Sequence, residues 1–308
     1  MRIVFMGTPE FSLNILQALI DNKYNVVGVV TQPDKIVGRK KLLTSPPVKL
    51  LAEKYDIPIF QPDKIKENYQ QVLLWQPDII ITCAYGQIIP KVLLDYPKYK
   101  AINVHASLLP QYRGGAPIHR AIIDGQKKTG VTIMYMSEKM DAGDIISQQE
   151  VKITLQDDVK TLSDKLSVIG AKLLIDTLPS IFKNTNPRIK QDESLVSYAY
   201  NISPQDEKID WLQNALDVYN HIRGLNPWPG AYALFDGLRV KIYKSEIVDE
   251  HYIGEPGAIV DIKKDGIIVK TLDYAIKILM IQLEGKRIQS VKEIFNGNHP
   301  FQKGKCFK

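Results

Sequence analysis

The sequence predicts an α/β fold with a Rossmann-like, doubly wound and mostly parallel sheet, followed by a small antiparallel β-barrel. Three observations support this prediction. Continuous apolar runs, typical of strands buried on both faces, alternate with helical segments in the first half of the chain. From about residue 210 the pattern changes to short β-rich runs between Gly or Pro turns. The length of 308 residues suits two domains rather than one.

The first elements of the sheet are read directly from the N-terminus. The apolar run RIVFMG (2–7) predicts a buried strand that ends in glycine. The residues TPEF then predict the start of a helix, with Thr8 as N-cap and Pro9 at the first helical position. A second strand is expected at 25–31. The polar, basic stretch that follows it (32–47) is too long for a tight connection.

The alternation of helix and strand continues from there. In chain order we expect a helix at 48–55, a strand at 57–60, a helix at roughly 64–75, a buried strand at 78–84, a short helix near 90–95, strands at 101–105, 130–136 and 144–153, and a long helix at roughly 158–182. Ligands of doubly wound sheets bind outside the carboxyl ends of the strands. Gly7, Tyr85 and His105 all follow or end such strands, so a site is expected there.

The domain boundaries follow from a change in composition. Weak periodicity and two prolines mark the stretch 183–210 as a connection between domains. We therefore predict a first domain at 1–188, a linker at 189–208 and the barrel domain at 209–308.

Composition limits the classes of protein. A net charge of +6 and a pI near 9.0 suit a polyanionic partner such as nucleic acid without requiring one. The only cysteines, Cys83 and Cys306, form no CxxC pair, which argues against a disulfide framework and a cysteine zinc site. The sequence has neither a signal-peptide pattern nor an 18-residue apolar stretch. We therefore expect a cytoplasmic protein that does not associate with a membrane.

Two polar residues end the strand predicted at 101–105. Asn103 and His105 are two positions apart, so their side chains leave the same face of the strand. Either one alone could serve only to bind nearby loop backbone. The pair together, at the carboxyl end of a buried strand, favours a functional site.

A second polar cluster is MDAGDII (140–146), in which Asp141 and Asp144 flank Ala-Gly just before a strand. Such a turn could present one carboxylate, although this tetrapeptide is more often only a turn. His105, His119 and Asp141 lack the HxxxH or HxH spacing of metal ligands, so no metal is expected. The absence of GxGxxG and Walker motifs disfavours an NAD- or ATP-dependent enzyme.

The stretch 32–47 contains three consecutive cations after Gly38, namely Arg39, Lys40 and Lys41. They are consistent with a solvated loop and equally with phosphate contacts, because charge neutralisation dominates affinity for nucleic acids.

Taken together, these residues resemble the 10-formyltetrahydrofolate-dependent formyltransferases along essentially the whole chain. The motifs that carry the resemblance are GTPEFS (7–12), TQPDK (31–35) with GRKK (38–41), SPPVKLLA (45–52), AYGQIIP (84–90), INVHASLLPQYRGGAPI (102–118), TGVTIM (129–134), MDAGDI (140–145) and NPWPGA (226–231). The Asn-x-His-x-Ser-Leu-Leu-Pro element is highly specific. The basic loop and the barrel narrow the resemblance to the branch that acts on initiator methionyl-tRNA.

The resemblance implies a set of site residues. Asn103, His105 and Asp141 match the catalytic triad of the family. The folate co-substrate, 10-formyltetrahydrofolate, is expected to lie against Ser107, Leu108, Leu109 and Pro110 and to be walled by Tyr85, Gly86 and Ile88. The tRNA is expected to contact Arg39, Lys40 and Lys41 and the barrel, which resembles an OB-fold. No metal is implied.

The implied reaction is direct attack of the methionyl α-amine on the formyl group, for translation initiation, by a monomeric enzyme. Asn103 and a protonated His105 would stabilise the oxyanion, with Asp141 supporting His105. Three alternatives stay open: a formyltransferase for a small amine such as a nucleotide-linked amino sugar, a non-catalytic folate or RNA binder, and an NAD-dependent enzyme. Arg113 with its two following glycines would shape the outer wall of the pocket or form only a flexible turn.

Overall fold

Residues 1–37 and 41–308 are described by the computed structural model, and they fall into two units. The first unit consists of residues 1–117, 128–152 and 163–200. The second consists of residues 118–127, 153–162 and 201–308. Among the residues that the structure describes, no helix is both long and apolar enough to cross a membrane.

The elements up to residue 182 alternate as the periodicity predicts. In chain order they are β1 (Arg2–Gly7), α1 (Leu13–Asp21), β2 (Asn25–Val30), β3 (Lys35–Val37), β4 (Leu42–Thr44), α2 (Pro47–Lys54), β5 (Ile59–Phe60), α3 (Gln70–Leu74), β6 (Ile79–Cys83), α4 (Lys91–Asp95), β7 (Ala101–His105), α5 (Pro117–Ile123), β8 (Lys128–Tyr135), β9 (Ile145–Lys152) and α6 (Val159–Phe182). The strands β3 and β4 form a separate two-stranded hairpin within the basic stretch.

Seven strands form the sheet of the first unit, in the order β5-β2-β1-β6-β7-β8-β9. The pairs from β5 to β7 are parallel, and β8 and β9 continue the sheet as an antiparallel hairpin. Because β1 lies between β2 and β6, the strand order reverses beside it. In doubly wound sheets, ligands bind outside the carboxyl ends of the strands at such a reversal.

The centre of this sheet is apolar on both faces. Residues 3–6 of β1 and 79–81 of β6 are 0% exposed. Strands of this kind must be covered by helices, and they read as continuous apolar runs in sequence. The predicted fold class is confirmed for this part of the chain.

The start of the first helix differs from the prediction. A short 3₁₀ turn at Glu10–Ser12 precedes α1, and Pro9 rather than Thr8 is its N-cap. The hydroxyl of Thr8 donates to the carbonyl oxygen of Tyr85 at 3.0 Å, and that of Ser12 donates to the carbonyl oxygen of Cys83 at 2.6 Å. Both hydroxyls thus bind the chain leaving β6 instead of capping a helix.

The helix predicted at 64–75 is also shorter than expected. Only α3 is helical there, because residues 64–68 form a separate turn. The backbone amide of Ile65 donates to the Gln87 side chain at 2.7 Å, and the Ile65 side chain is 0% exposed. The burial of Ile65 and its hydrogen bond to Gln87 outweigh the helical pattern of the local sequence.

The second unit contains the antiparallel sheet. Its elements are α7 (Ala215–Gly224), β10 (Ala231–Phe235), β11 (Leu238–Val248), β12 (Ile259–Lys263), β13 (Gly266–Lys270), β14 (Ala275–Leu283), β15 (Ile288–Ser290) and α8 (Val291–Ile294). The strand order is β10-β11-β14-β13-β12, with β15 beside β14.

The C-terminal residues close this sheet into a barrel. The Lys308 amide donates to the Leu234 carbonyl at 2.8 Å on β10, and the Ile259 amide of β12 donates to the Lys305 carbonyl at 2.7 Å. One segment thereby bridges both edge strands, which removes the open edges of the sheet. The predicted barrel is confirmed.

The first half of the segment predicted as a linker, residues 189–200, falls within the first unit and hydrogen-bonds to its other residues. Ile145 and Ile189 exchange backbone hydrogen bonds at 2.8 and 2.9 Å, and the Ala199 amide donates to the Arg113 carbonyl at 2.7 Å. The domain boundaries proposed from composition stay a prediction.

Candidate active site

The carboxyl end of β7 carries Asn103 and His105. β7 pairs with β6 on one edge, where Asn103 lies opposite Thr82, and with β8 on the other, where His105 lies opposite Thr132. The two polar side chains occupy the same face of the strand. Asn103 is half-buried and His105 is 5% exposed, so both are held in a protected position.

The amide of Asn103 is oriented by its neighbour on β6. The Thr82 hydroxyl donates to Asn103 Oδ1 at 2.8 Å, and Thr82 is 3% exposed. Since the oxygen of the amide is engaged, the Nδ2 group is the end that remains for a ligand. Sequence reasoning missed Thr82, because its partner is defined only by the register of two strands.

The tautomer of His105 is set by the loop that follows. His105 Nε2 lies 3.0 Å from the carbonyl oxygen of Tyr112. A carbonyl only accepts, so Nε2 must carry the hydrogen. The other ring nitrogen, Nδ1, lies 3.7 Å from Asp141 Oδ2, which is an ion-pair distance rather than a hydrogen bond. Nδ1 is therefore the nitrogen that can gain or lose a proton.

Asp141 reaches this position from the loop between β8 and β9. Its backbone is left-handed, with φ at 50°, a conformation that aspartate tolerates better than most residues. Its Oδ2 accepts a hydrogen bond from the Gly114 amide at 2.9 Å. Asp144 pairs instead with Arg188 Nε at 3.2 Å, so Asp141 is the aspartate of this turn that faces His105.

Arg113 lies beneath this loop and not on the outer wall of a pocket. Its side chain is 0% exposed, and its guanidinium donates to Gln191 Oε1 and Glu193 Oε1. Hydrogen bonds from Arg113 and Lys139 lower the pKa of Glu193 to about 2, which keeps this carboxylate charged. Neither the outer-wall interpretation nor a flexible turn describes Arg113.

The glycine after Arg113 has a steric role. Gly114 has φ at 128°, and a Cβ added there would lie 2.6 Å from the Ala199 carbonyl oxygen. Any side chain would separate this segment from residues 197–199, and the Gly114 amide would lose its place beneath Asp141.

The turn at 107–110 is held by the β8–β9 hairpin. The Thr132 hydroxyl donates to the Ser107 carbonyl at 2.6 Å, and Gln148 Nε2 donates to the Leu109 carbonyl at 2.8 Å. Ser107 and Leu109 are buried, whereas Leu108 and Pro110 are half-buried and have accessible surface. The turn is thus held rigidly, close to His105 in sequence, with part of its apolar surface exposed.

In the loop after β6, the Tyr85 ring is buried, and the Tyr85 carbonyl accepts hydrogen bonds from other segments. Tyr85 is 4% exposed in an apolar cluster, and burial raises the pKa of its hydroxyl. Its carbonyl oxygen accepts from Thr8 and from Gln32 Nε2, the latter at 3.1 Å. Gly86 and Ile88 are exposed, the latter to 83%.

The structure thus brings Asn103, His105 and Asp141 together at one strand end. Of the predicted basic residues, Arg39 and Lys40 lie outside the described residues, and Lys41 is exposed. Within 1–37 and 41–308, no group of three or more His, Cys, Asp or Glu side chains is placed to hold a metal ion.

Comparison with protein families gives two matches. The family model described as Formyl transferase matches residues 1–178, and the one described as Formyl transferase, C-terminal domain, matches residues 201–299. The first match alone covers more than half of the chain.

Two relatives are similar over nearly the whole chain. The methionyl-tRNA formyltransferase of Geobacillus sp. (strain WCH70) is 56% identical over 299 residues, which cover 96% of this chain and 94% of the relative. That of Staphylococcus aureus (strain bovine RF122 / ET3-1) is 50% identical over 307 residues, which cover 99% and 98%.

Solved structures share the fold at low identity. The N-formyltransferase of Helicobacter canadensis, in complex with folinic acid and dTDP-3-aminofucose, aligns with a TM-score of 0.70 at 22% identity, over 90% of this chain and 98% of its own. The methionyl-tRNA formyltransferase of Clostridium thermocellum aligns with a TM-score of 0.57 at 18% identity, over 92% and 98%.

The thiol of Cys83, at the end of β6, should be inert. Cys83 is 0% exposed and burial raises its pKa to about 12, so almost no thiolate exists at pH 8. We expect a thiol reagent at pH 8 to label one cysteine, the half-buried Cys306, in the folded protein and two after unfolding. Cys306→Ser is the control and should abolish native labelling. Rapid labelling of that variant would contradict the buried position of Cys83.

Proposed function

The chain belongs to the formyl transferase family, and we propose that it transfers a formyl group from 10-formyltetrahydrofolate to the α-amino group of methionyl-initiator tRNA, for translation initiation. The observation that carries the proposal is the strand end of β7, where Asn103 and His105 share a face and His105 Nδ1 lies 3.7 Å from Asp141. This arrangement supplies a hydrogen-bond donor, a proton carrier and a negative charge.

The alternative of a small-amine acceptor has less support. The relatives from Geobacillus and Staphylococcus aureus, at 56% and 50% identity, are methionyl-tRNA formyltransferases and match this chain over nearly its full length. The enzyme solved with an amino-sugar nucleotide is only 22% identical. The tRNA substrate is therefore favoured.

The folate co-substrate supplies an activated formyl group. The residues at the carboxyl ends of β6 and β7 suit a flat heterocycle with polar edges. Leu108 and Pro110 offer apolar surface on a rigid turn, and Gly86 and Ile88 are exposed on the loop after β6. Ser107 and Leu109 would support the turn from below, and Tyr85 would anchor the loop through its backbone.

His105 is proposed to carry the proton that the reaction moves. The amine loses a proton as it forms its bond to the formyl carbon, and the folate nitrogen N10 gains one as its bond to that carbon breaks. With Nε2 tied to Tyr112, only Nδ1 can make this transfer. The Asp141 carboxylate, whose Oδ2 lies 3.7 Å from Nδ1, places a negative charge beside the ring nitrogen that handles this proton.

Asn103 is proposed to stabilise the negative charge that develops on the formyl oxygen. Its Nδ2 group has no hydrogen-bond partner among residues 1–37 and 41–308, and β7 holds the side chain in place. Donors that are already oriented require no rearrangement as the charge develops, which is why such groups contribute strongly to rates. No covalent intermediate with the protein is required.

The tRNA is proposed to contact the basic loop and the barrel. Lys41 is exposed beside the β3–β4 hairpin, next in sequence to Arg39 and Lys40. We further propose that the protein acts in the cytoplasm and without a membrane partner. We also propose that it acts as a monomer, because a single chain provides the three proposed catalytic residues. These last points stay predictions.

The function is tested by mixing the protein with 10-formyltetrahydrofolate and methionyl-initiator tRNA and measuring formyl-methionine. Formylation of the charged tRNA supports the proposal. No product with tRNA, together with turnover of an amino-sugar nucleotide, would establish the small-amine alternative instead.

Alanine at Asn103 should lower kcat by about 10²–10³-fold, the usual effect of losing one oxyanion donor. Alanine at His105 should lower it by about 10²–10⁴-fold, the usual contribution of a positioned acid–base group. Folate affinity should change little, since neither side chain belongs to the proposed pterin contacts. Rates are measured in the tRNA assay and affinity by titration with folinic acid. The exposed Asn68 and His251 provide matched alanine controls, which should keep wild-type rates. A triad variant with wild-type kcat would remove that residue from the mechanism.

Thr82→Val should lower kcat by about 2–10-fold, because the Asn103 amide loses the neutral hydrogen bond that orients it. The matched control is Thr129→Val in β8. Thr129 is 3% exposed, and its hydroxyl has no hydrogen-bond partner among the described residues. Equal rates for the two variants would show that Thr82 does not orient Asn103.

Replacing residues 39–41 together by alanine should raise the KM for tRNA while the KM for folate stays constant. Each lost phosphate contact should reduce the slope of log affinity against log salt by about 0.7–0.9. A control variant with alanine at the exposed lysines Lys23, Lys66 and Lys183 removes the same charge elsewhere. If both variants weaken tRNA binding equally, only net charge is involved.

A further inference from the structure

We propose that Gln191 is a positioning residue for Asp141: its side-chain amide holds the 141–143 loop at the distance from His105 that the reaction uses. The inference rests on the proposed function, because only there does this distance affect a rate. Gln191 lies in the stretch that the sequence suggested as a linker, and no motif marks it.

The nitrogen of the Gln191 amide binds the backbone of the loop. Nε2 donates to the Asp141 carbonyl oxygen at 2.8 Å and to the Gly143 carbonyl oxygen at 2.8 Å. Both of its hydrogens are thus used. Asp141 has a left-handed backbone, and a Cβ added at Gly143 would lie 1.9 Å from the Tyr135 carbonyl oxygen. The Gln191 amide therefore binds the loop at two residues whose backbone is sterically constrained.

The oxygen of the same amide binds Arg113. Gln191 Oε1 accepts from Arg113 Nε at 3.0 Å and from Nη2 at 2.8 Å. A guanidinium only donates, so Oε1 must face Arg113 and Nε2 must face the loop. Arg113 is 0% exposed, which leaves its guanidinium dependent on Gln191 and Glu193 for acceptors. The orientation of the amide is therefore determined by its partners.

These contacts close a ring around Asp141. Gly114 follows Arg113 directly, and its amide donates to Asp141 Oδ2 at 2.9 Å. Gln191 joins the Arg113 side chain back to the Asp141 carbonyl. Both the backbone and the carboxylate of Asp141 are thus bound to the 113–114 segment. The adjacent Tyr112 carbonyl holds His105, so the ring determines how far Asp141 lies from His105.

Gln191→Glu isolates the donor role. An ionised carboxylate still accepts from Arg113, so the buried cation keeps its partner, but it cannot donate to Asp141 or Gly143. We expect kcat in the tRNA assay to fall by about 10- to 100-fold, a typical effect of displacing a reacting group by about 1 Å. The KM values for both substrates should change little.

Three further variants separate an effect on positioning from an effect on stability. Gln191→Met, of similar length but without polar groups, should lower kcat as well. Gln149→Glu on the exposed side of β9 is the matched control and should keep wild-type kcat. In an Asp141→Asn background, Gln191→Glu should have no further effect on kcat, because Gln191 acts through Asp141. An equal loss of kcat in both backgrounds would overturn the proposal.

A second readout does not depend on activity. Hydrogen exchange of the Gly114 amide, followed by NMR, reports its bond to Asp141 Oδ2. Gln191→Glu should reduce Gly114 protection towards that of Asp141→Ala, while the amide of the buried Val131 stays protected. Unchanged Gly114 protection would overturn the proposal even if kcat fell. If the wild type formylates no tRNA, the proposed function fails, and this measurement still decides whether Gln191 positions Asp141.

Discussion

The candidate active site depends on the register of β7. Parallel pairing with β6 places Asn103 opposite Thr82, and antiparallel pairing with β8 places His105 opposite Thr132. Side chains alternate between the two faces of a strand, so a slip of one residue would turn both polar side chains away from Asp141. Because β7 is hydrogen-bonded along both edges, such a slip would break two ladders. Pairing with β6 and β8 therefore determines where the side chains of Asn103 and His105 lie.

Placing polar groups at the end of a buried strand is costly unless each has a partner. For Asn103 and His105 the partner engages one atom and leaves another, because Thr82 binds Asn103 Oδ1 and Tyr112 binds His105 Nε2. In Asp141 the oxygen that faces His105, Oδ2, is itself held by the Gly114 amide. Asn103 Nδ2 and His105 Nδ1 stay available. The bonds that offset the cost of burial are thus the same bonds that orient the reactive atoms, which is the condition for electrostatic preorganisation.

Much of the fold follows from local pattern. Apolar runs predicted the central strands of the seven-stranded sheet, since a strand covered on both faces has little choice of residues. The pattern failed where a long-range contact outweighed local propensity. Thr8 binds the Tyr85 carbonyl instead of capping a helix, and Ile65 is anchored by Gln87 where a longer helix was expected. Arg113 illustrates the same limit, because an arginine between polar residues and glycines gives no sign of complete burial.

The sequence by itself determined that Asn103 and His105 share a face, because the period of a strand is local, and the motifs around them determined the family. The motifs also pointed to Asp141, but only the tertiary structure decided its distance from His105 and which nitrogen of His105 binds the Tyr112 carbonyl. It also decided the place of Gln191, which lies 50 residues from Asp141 and 78 from Arg113 along the chain. The physical reason is that periodicity records which side of an element is buried, whereas the convergence of side chains depends on the packing of distant segments.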